Sequence, residues 1–304
     1  MAKIIYLDLN AASYLAVPPR DSDWSDIRQR LLQAAQSGDC LCPMPLETIV
    51  EAAPCDRPRR IAIEQFFASA SGGLAFRHFE EMVVHSTIQL ARPNWPVRSF
   101  VMVRLSDWTS DKIAAISHSI ADETRQRMIN RMANGSAPDG ADAMQVKEIF
   151  DKISQDRCGM FYRDLLKFLE EKRTPIADFE IPWLMQGLIL HDLNADEARD
   201  LGEKVRYHKW EAIPENYFDL LLTARWEHDR VHRHRPNYTP NDEIDRWRAA
   251  VALSCAQLFV TDKYMAGLCQ RAGVLDVANL SVLSVSQTDQ FRDFLINSAA
   301  AVET

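Results

Sequence analysis

Cysteine is scarce and unpatterned. The 304 residues hold six (Cys40, Cys42, Cys55, Cys158, Cys255 and Cys269), with no CxxC and no Cys/His spacing of a zinc finger. A zinc finger is thereby excluded, and the thiols are expected to be buried and reduced, as in a cytoplasmic protein. Glycine is also sparse, at ten, and no GxxxxGK[ST] run occurs, so Gly72-Gly73 reads as a turn and not as a phosphate loop. No serine or cysteine stands in a nucleophile elbow with a histidine placed to activate it. Positive charge is short: 35 Lys plus Arg against 43 Asp plus Glu leave −8, which argues against a general nucleic-acid coat. No apolar run approaches the roughly 20 residues of a membrane span. The opening MAKIIYLDLN is too short and too early interrupted, by Asp8, to serve as a secretory leader.

What is present is an ordinary globular mixture, 47% hydrophobic and 26% charged, in a chain long enough for one large domain or two ordinary ones. Lys3 to Leu9 reads as a buried strand. A helix is expected over 23–36, a strand over 40–44, and a helix with Leu46, Ile49, Val50 and Ala53 on its apolar face. Helices follow over 60–70 and 76–90, then a loop at Pro93-Asn94-Trp95-Pro96. The middle predicts only helices, at about 109–133, 143–172, 178–191, 195–208 and 214–232, with a surface loop at 134–140. The last part predicts a helix over 242–257, a strand over 258–262, a helix over 263–272 and a final strand over 280–285. Two α/β segments therefore flank a helical middle: 1–95 and 238–304 form the core, and 96–237 is an all-helical insertion.

Two of the expected strands end in aspartate, Leu7-Asp8 and Thr261-Asp262. In open parallel sheets sites form outside the carboxyl ends of the strands, so the two acids fall on one rim. Oxygen ligands of this kind suit a hard divalent cation. Glu47 and Glu51 stand at i and i+4 on one helix face, where like charges repel unless a cation compensates. Asp242 and Asp245 stand at i and i+3. The plain alternative for any one of them is a helix cap or a solvated acid.

Three stretches together, YLDLNAASYLA, PMPLETIVEA and NDEIDRWRAAVALSCAQLFVTDK, resemble a PIN-like nuclease domain. The resemblance covers about 1–90 and 238–290. It implies a three-layer α/β core with a central, mainly parallel sheet, and a carboxylate site at Asp8, Glu51, Asp245 and Asp262. Glu47 is the alternative to Glu51, and Asp242 to Asp245. Asn10 and Ser13 would orient a water or a phosphate oxygen. Such a site binds Mg²⁺ or Mn²⁺ and hydrolyses a phosphodiester, RNA sooner than DNA. The implied setting is a toxin or a phage-defence effector, with a cognate inhibitor or defence-complex protein as partner.

A phosphodiester also calls for positive charge. Arg225 to Arg235 (RWEHDRVHRHR) supplies Arg230, Arg233 and Arg235, Lys263 follows Asp262, and Arg57-Pro58-Arg59-Arg60 is a second basic run. The alternative for these is a solvated surface. His228 and His232 share a helix face but lack a third zinc ligand. Two other functions stay beside the nuclease. A haloacid-dehalogenase-type phosphatase also begins with an Asp after strand one, but it needs a second Asp where Asn10 stands. The other is a non-catalytic PIN-like scaffold that binds a protein.

Overall fold

The structure, a computed structural model, describes residues 2–45, 48, 52, 55–94, 100–102, 173–175, 181–191, 193–205, 207–209, 213–232, 240–276, 278 and 280–300. The helices expected over 109–133 and 143–172, and the loop at 134–140, lie outside these residues.

In chain order the elements are β1 (Lys3–Leu7), α1 (Leu9–Ala16), α2 (Trp24–Ser37), β2 (Cys40–Leu41), β3 (Met44–Pro45), α3 (Arg57–Ala70), β4 (Leu74–Phe76), α4 (Phe79–Ala91) and β5 (Phe100–Met102). Next come β6 (Arg173–Pro175), α5 (Ile181–Leu190), α6 (Ala195–Val205), β7 (Tyr207–Lys209) and α7 (Pro214–His232). The chain ends with α8 (Pro240–Cys255), β8 (Leu258–Thr261), α9 (Lys263–Arg271), β9 (Ser281–Ser284) and α10 (Thr288–Ala300). They divide into two compact units: Met1–His78 with Arg98–Ser119 and Val251–Thr304, and Phe79–Val97 with Ile120–Ala250. The sequence reading sets its joins at 95/96 and 237/238, and the chain passes between these compact units at 78/79, 97/98, 119/120 and 250/251.

The first unit is α/β, built on a four-stranded all-parallel sheet of order β2-β1-β8-β9. Its strands are short apolar runs because both faces are covered. Ile5 and Leu7 of β1, Leu258 and Val260 of β8, and Leu283 of β9 join α1, α2, α3 and α10 in one buried cluster. Tyr6 and Phe259 alternate to the other face, where their rings meet edge-on at 5.5 Å and Tyr6 lies 4.6 Å from Phe76. Asp8 caps α1, and Gly38, in the left-handed conformation at φ 80°, ends α2.

Several elements depart from expectation. The strand expected over 40–44 is two strands, β2 on β1 and β3 on β4, because Pro43 breaks the run and the Cys42 N–H turns to the Ala70 carbonyl at 3.0 Å. The helix expected from Phe76 starts at Phe79, since Leu74–Phe76 pairs parallel with β3 and antiparallel with β5. Helices α1 and α10 were not expected at all. The all-helical middle is corrected as well: β6 and β7 form an antiparallel ribbon, and Tyr207–Lys209 replaces the last turn expected of a helix over 195–208.

The second unit is otherwise helical among its described residues. Gly187 on α5 admits Val84 of α4, whose Cγ2 would lie 2.5 Å from a Cβ there. Asn194 and Glu197 form a reciprocal cap at the start of α6. Inside the unit Ser86 donates to Glu215 Oε2 at 3.2 Å, and Arg246 donates to Asp219 Oδ1 at 3.0 Å. Burial pushes the Asp219 carboxyl up, and the Arg246 charge and hydrogen bond oppose that rise.

Candidate functional site

The strand order decides where a site can form. From β1 the chain runs through α1 and α2 to β2 on one side; from β8 it runs through α9 to β9 on the other. Adjacent parallel strands whose connections leave in opposite directions make a topological switch point, and right-handed crossovers put their helices on opposite faces. Asp8 and Asp262 follow the carboxyl ends of β1 and β8, where that rule places ligand sites.

Register sets the two acids side by side. Leu7 pairs with Val260, and the Asp8 N–H donates to the Val260 carbonyl at 3.0 Å. Both acids are half-buried and both cap the helix that follows. Asp8 Oδ1 accepts from the Ala11 N–H at 2.8 Å. Asp8 Oδ2 accepts from the Thr261 hydroxyl and from the Asp262 N–H, each at 2.9 Å. Asp262 Oδ1 accepts from the N–H groups of Tyr264 and Met265. No donor among the described residues reaches Asp262 Oδ2. Two carboxylates are thus fixed at one rim by backbone and hydroxyl donors, and Lys263 beside them is the exposed first residue of α9.

Asn10 and Ser13 both sit on α1, Asn10 exposed and Ser13 buried. Asn10 alone of the two is thereby accessible to a ligand from solvent. On β9, Ser284 stands in register with Thr261, and its hydroxyl pairs with that of Ser286 at 2.8 Å. Gln287 closes the turn into α10, its N–H donating to the Ser284 carbonyl at 2.9 Å and its Oε1 accepting from the Ser284 N–H at 2.8 Å, which explains both residues without a ligand.

Glu47 and Glu51 lie outside the described residues, as do Arg233 and Arg235. Asp242 and Asp245 lie on the part of α8 that belongs to the second unit, where Asp245 pairs with Arg248 at 3.6 Å. Arg230 belongs to α7. The basic run it was read in is partly neutralised from within, because buried Asp229 pairs with Arg225 at 3.2 Å and lies 3.7 Å from His228 Nδ1. Among the described residues no three His, Cys, Asp or Glu side chains are grouped to hold a metal ion. No described helix is long and apolar enough to cross a membrane.

No family model, curated protein or solved structure matches the chain. The geometry therefore carries the functional reading. Thr261 is the site residue that the sequence did not reveal. It ends an apolar strand, as many β-branched residues do, and its bond to Asp8 spans 253 positions.

Proposed function

We propose that the protein is a metal-dependent nuclease that hydrolyses phosphodiesters of single-stranded or structured RNA. The observation that carries this reading is the Asp8–Asp262 pair at the switch point of the parallel sheet. Carboxylates at adjacent strand ends offer oxygen ligands to a single hard cation. Two carboxylates suffice for Mg²⁺ or Mn²⁺, since such ions keep several waters and take one or two protein carboxylates. When bound, the ion supplies hydroxide from water and neutralises charge at the phosphate.

In this reading Asp8 and Asp262 hold the ion. The exposed Asn10 amide orients a water or a phosphate oxygen, and Lys263 offers the substrate positive charge. The strand order β2-β1-β8-β9, with an acid after each central strand, supports a PIN-like core. The same resemblance adds Glu51 and Asp245 to the carboxylates, Glu47 and Asp242 being their alternatives, and Arg230, Arg233 and Arg235 to the substrate contacts. It also supports a toxin or defence setting, with a protein inhibitor as partner.

The test is cleavage of labelled single-stranded RNA by the full chain with Mn²⁺. Wild type is expected to cleave, and Asp8→Asn to lose at least about a hundredfold, in line with removal of a key charge-stabilising group. Asn keeps one of the two acceptor oxygens that Asp8 offers to Ala11, Thr261 and Asp262, so the variant should melt modestly lower, and circular dichroism checks that it stays folded. A wild type that cleaves neither RNA nor DNA overturns the proposal. Phosphate released from a monoester would favour the phosphatase, and absence of both activities and of Mn²⁺ binding would favour the scaffold.

A further inference from the structure

We infer that Thr261 is a positioning residue that fixes the Asp8 carboxylate and thereby sets the affinity of the site for its divalent cation. This rests on the metal-dependent reading above. Thr261 is 2% exposed at the last position of β8, and its hydroxyl donates to Asp8 Oδ2 at 2.9 Å across the β1–β8 junction. A threonine side chain is stiff at χ1, and a hydroxyl has one proton to give, so this donation is directed.

Three of the donors on Asp8 are the Ala11 N–H, the Asp262 N–H and the Thr261 hydroxyl. The first two are backbone groups delivered by α1 and by the turn into α9. Of the three, the hydroxyl alone comes from a side chain, so it is the one that substitution can remove. It also reaches the oxygen that receives the Asp262 amide, so the first acid is oriented by the chain segment that carries the second. Such outer contacts determine how a ligand carboxylate presents its lone pairs. Without the hydroxyl Asp8 keeps the bonds from the Ala11 and Asp262 amides but loses the one from Thr261, and its carboxylate is held less firmly.

Calorimetric titration of the full-length wild type, Thr261→Val, Thr261→Ser and Asp8→Asn with Mn²⁺ tests this. Thr261→Val is expected to weaken Mn²⁺ binding by about 10- to 100-fold. Thr261→Ser, which restores the hydroxyl, is expected to bind close to wild type, and Asp8→Asn to show no binding at this site. In RNA cleavage Thr261→Val should recover as Mn²⁺ is raised, with KM for RNA unchanged, whereas Asp8→Asn should not recover. If Thr261→Val fails to fold, Thr261→Ala carries the same comparison with no added bulk. Equal Mn²⁺ affinity in wild type and the variant lacking the hydroxyl overturns the role of Thr261 and leaves the nuclease reading standing. A wild type that binds no Mn²⁺ overturns both.

Discussion

At the scale of single residues, an aspartate before a helix is ordinary. Asp56 also accepts from a first-turn amide, that of Arg59 at 2.9 Å, and on an exposed turn this needs no functional explanation. Asp8 and Asp262 differ because adjacent parallel strands bring both caps to one rim. The cysteines provide an independent check on the burial that holds this rim in place. Burial pushes the Cys40 thiol up and Cys42 well up, and it takes Cys269 to about 12. Thiolate, the reactive form, is therefore suppressed at all three, while Cys55 and Cys255 are only half-buried. Native protein treated with iodoacetamide near pH 8 should be modified at Cys55 and Cys255 well before Cys40, Cys42 and Cys269. Peptide mass spectrometry reads the order, and early modification of Cys269 would contradict the packing of α9. At this scale the sequence was informative where a residue ends an apolar run, as Asp8 and Asp262 do. It was silent on Thr261, whose partner lies at the far end of the chain.

Among the elements, the long periodic ones were legible and the short or closing ones were not. Helix α7 matches its expected bounds of 214–232, and α2, α9, β8 and β9 fall within two residues of theirs. Helix α1 escaped because LNAASYLA has only eight residues, and its exposed face, Asn10 and Tyr14, carries a single strongly polar side chain to mark a period. Strands β4 and β5 have three residues each, too few for an alternating pattern to emerge. Helix α10 had a signal, Phe291 and Leu295 at i and i+4, but a brief one. It is held to α2 by Arg292, which bonds Asp23 at 2.6 Å and Asp26 at 3.1 Å across the two helices, and Asp289 at 3.0 Å on its own. The Arg30 hydrogen bond at 2.9 Å, with the charges of Arg30 and Arg292 and against some desolvation, holds the Asp26 carboxyl below its ordinary 3.8. An acid lowered in the folded state contributes its stability above the unfolded value and loses it as pH falls through the folded one. Acidification below pH 3.8 should therefore weaken the α10–α2 clasp. The contribution is small and salt-sensitive, because these groups are well exposed. Melting curves from pH 5 to pH 3 should fall less steeply for Asp26→Asn than for wild type. An unchanged slope would remove Asp26 from the acid response.

For the whole molecule, the proposal of a polyanionic substrate has to be reconciled with the −8 balance. Part of the positive charge is turned inward, where Arg246 serves Asp219 and Arg225 serves Asp229. In the proposed reading the attraction for a phosphodiester comes largely from cations taken up at the acids, which would link metal binding to the stability of the folded chain. A ligand that binds only the native state at a hundred times its dissociation constant stabilises it by about 2.7 kcal/mol. Saturating Mn²⁺ should accordingly raise the melting temperature of wild type, and Asp8→Asn or Asp262→Asn should abolish most of that rise. Asp245 belongs to the second unit, and Arg248, 4% exposed, already pairs with it at 3.6 Å. Because Arg248 compensates Asp245, Asp245→Asn should lower the Mn²⁺-dependent rise less than Asp8→Asn does. Scanning fluorimetry of the four proteins with and without Mn²⁺ reads these differences directly. An equal rise in Asp8→Asn and wild type would move the metal away from the strand ends. Loss of the rise in Asp245→Asn alone would move it to α8, and in either case the Asp8–Asp262 rim would be only two caps on neighbouring helices.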